Sequence, residues 1–219
     1  MNFAVILAAG KGKRFGKEKQ FVLINNKPVI YYSLQKFNQA QEIDKIIVVT
    51  LKNRIQLVNQ LIKKYMFSKV SDVIIGGEER QDSVQNALKI LPKRGYVAIH
   101  DAARPIFSFD LVKQGFKDIR KYKACIPVIP IQDTLKIVRK SFVELTLDRS
   151  KLYYVQTPQF FDIELLKKAC HKAYQDNYYA TDDANLIERM GEKVHIIPGS
   201  KKNIKITDKN DLQLIKSLL

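Results

Sequence analysis

The sequence predicts a doubly wound α/β fold, a parallel sheet covered by helices on both faces. Three observations carry this reading. Strand-like and helix-like segments alternate regularly, with crossovers long enough for parallel pairing. The first segment, Phe3-Ala4-Val5-Ile6-Leu7, is an unbroken apolar run, as expected of a strand buried on both faces. Polar, glycine-containing clusters fall where strands would end: Gly10 to Lys19, Gly76 to Arg80 and Asp101 to Arg104. Ligands in such folds bind beyond the carboxyl ends of the strands.

Taken in order, Gln20 to Ile24 reads as a short extended segment and Asn25-Asn26-Lys27 as a turn. Pro28 then opens a helix, as proline can at a first helical position, with Ile30, Leu34 and Phe37 on one face. Lys45 to Thr50 is a second core strand, and Ile55, Val58, Leu61, Ile62 and Tyr65 mark the next helix. Val73 to Ile75 is a third strand, followed by a helix with Val84, Ala87, Leu88 and Leu91 inward. Tyr96 to His100 is a fourth, and Val112, Phe116 and Ile119 place another helix before a fifth strand at Ala124 to Ile129.

The pattern breaks after Pro130. Residues 133–156 mix Thr, Lys, Val, Arg, Phe and Glu with no clear core face, and read as a two-stranded extension. A hairpin alone is marginal in water, so a second subunit is the natural surface for it. A helix near 162–176 follows, then a short helix at 182–190 capped by Thr181. Strands are expected at Val194 to Ile197 and Asn203 to Thr207, and a final helix carries Leu212, Ile215 and Leu218.

Composition sets outer bounds. Of 219 residues, 46% are hydrophobic, enough for a substantial core, and we expect a single domain over 1–219 with a β-arm at about 133–156. No apolar run approaches the ~20 residues that span a bilayer. The sequence enters a strand at once, so we expect no signal or transit peptide. Cys125 and Cys170 lack metal-ligand spacing and read as core thiols, consistent with a cytoplasmic protein. Net charge is +16, from 38 Lys plus Arg against 22 Asp plus Glu, which suggests an anionic partner. The cations are spread along the chain, with no zinc-finger or RNP-type motif beside them.

The loop after the first strand is the strongest local signal. Gly10, Gly12 and Gly16 alternate with Lys11, Lys13, Arg14, Lys17 and Lys19. Glycines let backbone N–H groups approach an anion, and cations neutralise it, so the loop reads as a phosphate cradle. It is not a dinucleotide fingerprint, because Phe15 stands where G-x-G-x-x-G needs its third glycine. Nor is it a P-loop: Gly12 to Gly16 is one residue short, and Glu18 stands where a hydroxyl should be.

Other candidates sit on other strand ends. Asp101 closes a buried strand, where a carboxylate needs a cation. A phosphate-bridging divalent ion would satisfy it, and so would an ion pair with Arg104 or a helix cap. His100 reads as a structural histidine, and Asp182-Asp183 as acids placed at a helix start. Lys205, between Ile204 and Ile206, points away from them, toward solvent or a charged crevice. Arg149 and Thr134 lie on the extension and matter only if it reaches a site.

Several of these stretches together resemble the 2-C-methyl-D-erythritol 4-phosphate cytidylyltransferases of the non-mevalonate isoprenoid pathway. They are Leu7-Ala8-Ala9-Gly10-x-Gly12-x-Arg14, Lys19-Gln20, Gly76-Gly77-x-x-Arg80-x-x-Ser83-Val84, His100-Asp101-Ala102-Ala103-Arg104-Pro105, Asp133-Thr134, Gln156-Thr157-Pro158-Gln159, Thr181-Asp182-Asp183 and Asn203-Ile204-Lys205-Ile206-Thr207. They keep the family's order, with Glu18 where the family often has proline and Glu78 where it often has aspartate. The resemblance implies a Rossmann-like nucleotidyltransferase sheet with a protruding β-arm used in dimerisation. It implies transfer of CMP from CTP to methylerythritol phosphate with Mg²⁺, releasing pyrophosphate. By position it assigns Arg14, Lys19 and Lys205 to catalysis on the phosphates. Ala8, Ala9, Gly10, Gly77, Ser83 and Ala102 fall to the nucleotide, and Asp101 to the metal. Arg104, Thr134 and Arg149 fall to the polyol phosphate, the last two from the other subunit.

The residue chemistry agrees. A phosphate monoester, with a second pKa of ~6, is already a nucleophile at neutral pH and needs no general base. Two alternatives remain at this point. One is a relative that uses ribitol 5-phosphate as acceptor. The other, from a different class, is a non-enzymatic basic nucleic-acid binder, which would explain the charge but not the cluster positions.

Overall fold

The computed structural model describes residues 1–12 and 15–219. The chain opens with β1 (Asn2–Ala8), a 3₁₀ turn (Lys19–Phe21), and the short pair β2 (Leu23–Ile24) and β3 (Lys27–Pro28). Then come α1 (Val29–Gln39), β4 (Lys45–Thr50), α2 (Ile55–Tyr65), β5 (Val70–Ile75), α3 (Arg80–Ile90), β6 (Tyr96–Asp101), α4 (Phe109–Tyr122) and β7 (Ala124–Pro130). The strands β8 (Lys136–Arg139), β9 (Phe142–Thr146), β10 (Tyr153–Val155) and β11 (Gln159–Asp162) follow. The chain continues through α5 (Ile163–Gln175), α6 (Asp183–Arg189), β12 (His195–Pro198) and α7 (Lys209–Leu218).

The sheet is the doubly wound one expected. Strand β1 lies between β6 and β4, and β4 pairs with β5, all parallel. Alternation along each strand sends its side chains to two cores. Ala4, Ile6, Ile46 and Val48 face α1, α2 and α4, packing on Ile30, Leu34, Phe37 and Phe116. Phe3, Val5, Ile47 and Val49 face α3 and α5, packing on Val84, Leu88 and Leu166. Both faces are covered, which is why the strands read as unbroken apolar runs. Each fully buried Leu, Ile or Phe contributes about 1.5–3 kcal/mol.

The sheet departs from an all-parallel one at β11, which inserts antiparallel between β6 and β7. At four residues, following Pro158 and ending on Asp162, which caps α5, it is too short for its period to show. The extension is also shorter than expected. Only β8 and β9 form a free-standing hairpin, while β10 pairs antiparallel with β7 in the main sheet. β12 pairs in parallel with β7. The cap of α6 is Asp182, which accepts the Asn185 N–H at 3.0 Å, not Thr181. Its carboxylate is the stronger acceptor for a helix-start donor.

Residues 203–207 are not a strand. Ile206 N–H donates to the Ala103 carbonyl at 2.9 Å, and Thr207 N–H to Asp211 at 2.7 Å. The segment crosses the mouth of the sheet, beyond the point where a neighbouring strand could pair with it. There it joins a third apolar cluster, in which Phe15, Ile24, Val29, Ala103, Ile206 and Ile215 are buried together. Cys125 and Cys170 are buried free thiols, as expected, and burial pushes both up to about 12.

Candidate active site

The carboxyl ends of β1, β5 and β6 open onto a cavity of about 370 Å³. Ala9, Gly10, Lys19, Gly77, Ser83, Asp101 and Lys205 line it. Ala8 and Ala102 are buried and do not line it. Arg14 lies outside the described residues. Gln20, buried beside the loop, donates through Nε2 to the Ala8 carbonyl at 2.8 Å and the Gly10 carbonyl at 2.9 Å. The loop turns at Gly12, whose φ of +64° suits glycine. Glu18 pairs with Arg54 at 2.5 Å.

The opposite wall depends on close approach. A Cβ on Gly76 would sit 2.3 Å from the Ala9 Cβ, so only glycine lets the two strand ends meet. Ser83, on the first turn of α3, accepts the Gly77 N–H at 3.1 Å and fixes that backbone.

An alternating chain of charges forms the floor. Lys205 Nζ lies 2.6 Å from Asp101 Oδ2, and Arg80 Nε lies 3.1 Å from Asp101 Oδ1. The other arm of Arg80, Nη2, reaches Asp183 Oδ2 at 2.8 Å. Burial alone would raise the Asp101 pKa, but Arg80 and Lys205 outweigh it and hold the carboxyl well below the usual range. Burial likewise works against the Arg80 cation, and Asp183 and Asp101 more than offset it. The expected alternative for Asp101, an ion pair with Arg104, is replaced by these two partners.

His100 is structural, as its sequence context suggested. It is fully buried, and burial pushes its pKa down to about 3. Nε2 donates to the Arg104 carbonyl at 3.0 Å, a tautomer assigned because a carbonyl can only accept. Nδ1 therefore accepts from Thr157 Oγ1 at 3.1 Å, and that hydroxyl accepts the Asp101 N–H at 3.1 Å. The imidazole thus holds the turn between Asp101 and Arg104.

A second cavity, of about 410 Å³, adjoins the first and shares Arg80, Asp101 and Lys205 with it. Arg104, Thr157, Gln159 and Asp182 line its far side. Arg104 is steered there by the Asn203 carbonyl, which accepts Nη1 at 2.7 Å. Thr134 and Arg149 line neither cavity; both are exposed, and the Arg149 guanidinium bonds the Gln132 carbonyl.

The sequence reading missed Arg80, Asp183 and Gln20 as site residues. Arg80 ends the Gly76 to Arg80 cluster and stands one helical turn before Ser83, which was its available signal. Asp183 had its place in a helix-start pattern, where a role in the site was the lesser reading, and in the matching stretch Thr181-Asp182-Asp183. For a metal, no group of three or more His, Cys, Asp or Glu stands together among the described residues. One carboxylate beside a cation-lined cavity suits an ion that arrives on phosphate oxygens, since Mg²⁺ typically takes one or two carboxylates plus phosphates and water.

The family model described as 2-C-methyl-D-erythritol 4-phosphate cytidylyltransferase matches residues 2–219. A protein of that name from Dictyoglomus thermophilum is 42% identical over 219 residues, covering 98% of this chain and 95% of its own. One from Clostridium acetobutylicum is 41% identical, covering 100% of this chain and 97% of its own. Among solved structures, the 4-diphosphocytidyl-2C-methyl-D-erythritol synthase of Anaerococcus prevotii superposes with a TM-score of 0.88 at 31% identity, covering 100% and 95% of the two chains. The 2-C-methyl-D-erythritol 4-phosphate cytidylyltransferase of Francisella tularensis does so at 0.84 and 33%, covering 100% and 99%. With its cavities at the strand ends and its sequence matched from residue 2 to 219, the chain belongs to the 2-C-methyl-D-erythritol 4-phosphate cytidylyltransferase family.

Proposed function

We propose that this enzyme transfers CMP from CTP to 2-C-methyl-D-erythritol 4-phosphate, giving 4-diphosphocytidyl-2-C-methyl-D-erythritol and pyrophosphate. The observation that carries the assignment of roles is the sharing of Arg80, Asp101 and Lys205 by two adjoining cavities. Two phosphorylated substrates can then meet over one charged floor. CTP takes the cavity walled by Ala9, Gly10 and Gly77, with Lys19, and by position Arg14, on its phosphates. The acceptor phosphate takes the second cavity beside Arg104.

A phosphate oxygen of the acceptor attacks the α-phosphorus of CTP. The bond from that phosphorus to the bridging oxygen breaks, and pyrophosphate leaves with the electron pair. The nucleophile is already ionised near neutral pH, so no side chain has to remove a proton. This agrees with a His100 whose two nitrogens are both engaged. Lys205 meets charge on the α-phosphate, and each well-aimed donor contributes about 3 kcal/mol. Asp101 would hold Mg²⁺, whose charge offsets that of the phosphates.

We infer a homodimer through the 133–156 arm. The hairpin of β8 and β9 exposes Val138, Phe142, Val143 and Leu145, with Phe142 at 79%. A second copy is a surface against which such a hairpin becomes stable. It would also bring Thr134 and Arg149 to the partner's acceptor cavity. No helix among the described residues is long and apolar enough to cross a membrane. Two buried thiols with no disulfide favour a cytoplasmic setting. The direct test is pyrophosphate release from CTP with methylerythritol phosphate, and with ribitol 5-phosphate as the competing acceptor, with and without Mg²⁺. Release with the first acceptor and Mg²⁺ is expected; release only with ribitol phosphate, or with neither, overturns the proposal.

A further inference from the structure

Asp183 is a buried carboxylate that the transfer step does not use. Its side chain is 2% exposed, it lines neither cavity, and it meets the site only through Arg80. The guanidinium is a two-armed bridge, with Nη2 on Asp183 at 2.8 Å and Nε on Asp101 at 3.1 Å. A planar fork can hold two carboxylates in fixed directions, which an ammonium cannot. The near end of the bridge is fixed as well. Gln81, the next residue, donates to the Tyr178 carbonyl at 3.0 Å and accepts the Ala180 N–H at 2.9 Å. The start of α3 is thereby tied to the segment that delivers Asp183.

The four groups read Asp183, Arg80, Asp101, Lys205, with alternating sign; burial pushes the Asp183 pKa up, and the Arg80 guanidinium works against that and favours its carboxylate. We propose that Asp183 is a positioning residue, a fixed counter-charge that keeps Arg80 in place while Asp101 and Lys205 change partners during phosphate transfer. The argument rests on the proposed function. Asp101 and Lys205 neutralise each other at 2.6 Å in the ligand-free chain. When Lys205 turns to the α-phosphate, Asp101 gives up that cation, and the Mg²⁺ that Asp101 would hold takes its place. Arg80 would then follow Asp101 if Asp101 were its only anion. Asp183 is buried away from substrate, so it does not take part in that exchange and anchors Arg80 from behind.

Replacement of Asp183 by its neutral isostere has a distinctive expected signature. Asp183→Asn leaves an uncompensated positive charge next to the triphosphate cavity. Binding of CTP should stay equal or tighten, while kcat falls about tenfold, because Arg80 now competes with Lys205 for Asp101 alone. A side chain that merely supports the fold would weaken CTP binding as kcat fell.

The experiment is titration calorimetry of CTP with Mg²⁺, without acceptor, alongside steady-state pyrophosphate release, for the full chain and for Asp183→Asn. A double-mutant cycle with Lys205→Met supplies a second readout. Asp183 and Lys205 share no contact, so coupling between them on kcat has to pass through Arg80 and Asp101. Lower kcat, undiminished CTP binding and non-additive losses support the proposal. Unchanged kcat, weakened CTP binding or additive losses overturn it. Should Asp183→Asn fail to fold, Arg80→Lys decides, since it keeps the charge and loses the fork. The same loss of kcat with CTP still bound is then expected, and unchanged kcat overturns the proposal. Turnover of the unaltered protein is measured separately, so failure of the proposed function would show there first.

Discussion

Asp101 commits both carboxylate oxygens to cations, and the two cations are not equivalent. Arg80 is held from behind by Asp183, while Lys205 has a side chain 37% exposed at the junction of two cavities. Removing Lys205 therefore leaves Asp101 paired. Lys205→Ala should lower kcat about 100-fold, from a loss of about 3 kcal/mol in the transition state. It should cost about 1 kcal/mol or less in stability, as a partly exposed pair does. Stopped assays and thermal melts on the same preparation check both halves. A melting temperature that dropped in step with activity would remove the catalytic role.

His100 makes the complementary prediction. Its folded pKa is about 3 against 6.5 for the free side chain, so the unfolded chain binds a proton that the folded chain refuses. Its contribution is fully present above pH 6.5 and is lost as pH falls toward 3. The slope is at most about 1.4 kcal/mol per pH unit. Denaturant unfolding at pH 7 and pH 5 should differ by about 2 kcal/mol, and His100→Asn should flatten that difference. At this scale the sequence was informative wherever a residue's role follows from its strand end. The placement of Asp101 could be read that way, and so could the structural role of His100, whereas Lys205 was read from its place between Ile204 and Ile206. The Arg80–Asp183 pair could not, because 103 positions separate the two and only the folded chain brings them together.

The elements that place the site divide in the same manner. The core strands carry an apolar run, and the core helices an apolar face, over six or more residues, and each was legible. β11 and the stretch 203–207 were not. The first is too short for a pattern to emerge, and the second has the alternation of a strand with no strand beside it. Asn203 is tied to Gln156 and Thr157, and α7 holds the other end of 203–207, through Asp211 on Thr207 and through Ile215 in the cluster with Phe15 and Ile206. Ile215→Ala should cost about 2–4 kcal/mol as a buried large-to-small change. It should also weaken CTP binding, because Phe15 and Ile206 flank the loop and Lys205 respectively. If stability falls and CTP affinity is untouched, α7 supports the fold without shaping the site.

For the whole molecule, the proposed dimer predicts two separable effects. Phe142→Asp should shift the protein to monomer in sedimentation, since its exposed ring is the most prominent apolar group on the hairpin. Arg149→Ala should leave the dimer intact and raise the KM for the acceptor, with that for CTP unchanged. A rise for CTP alone would contradict the acceptor role. The charge of +16 gave only the sign of the partner, because dispersed cations do not mark a site. The distinction between the cavity and its solvated rim came from the fold.

The cluster of Phe15, Ile206 and Ile215 has a bearing on how the molecule is made. Synthesis delivers the glycine loop first and its cover nearly two hundred residues later. A nascent chain can complete both faces of the sheet and still leave Phe15 and Ile24 facing water until α7 emerges. Competence to hold CTP would thus arrive only as α7 emerges, and abruptly, well after most of the sheet has formed.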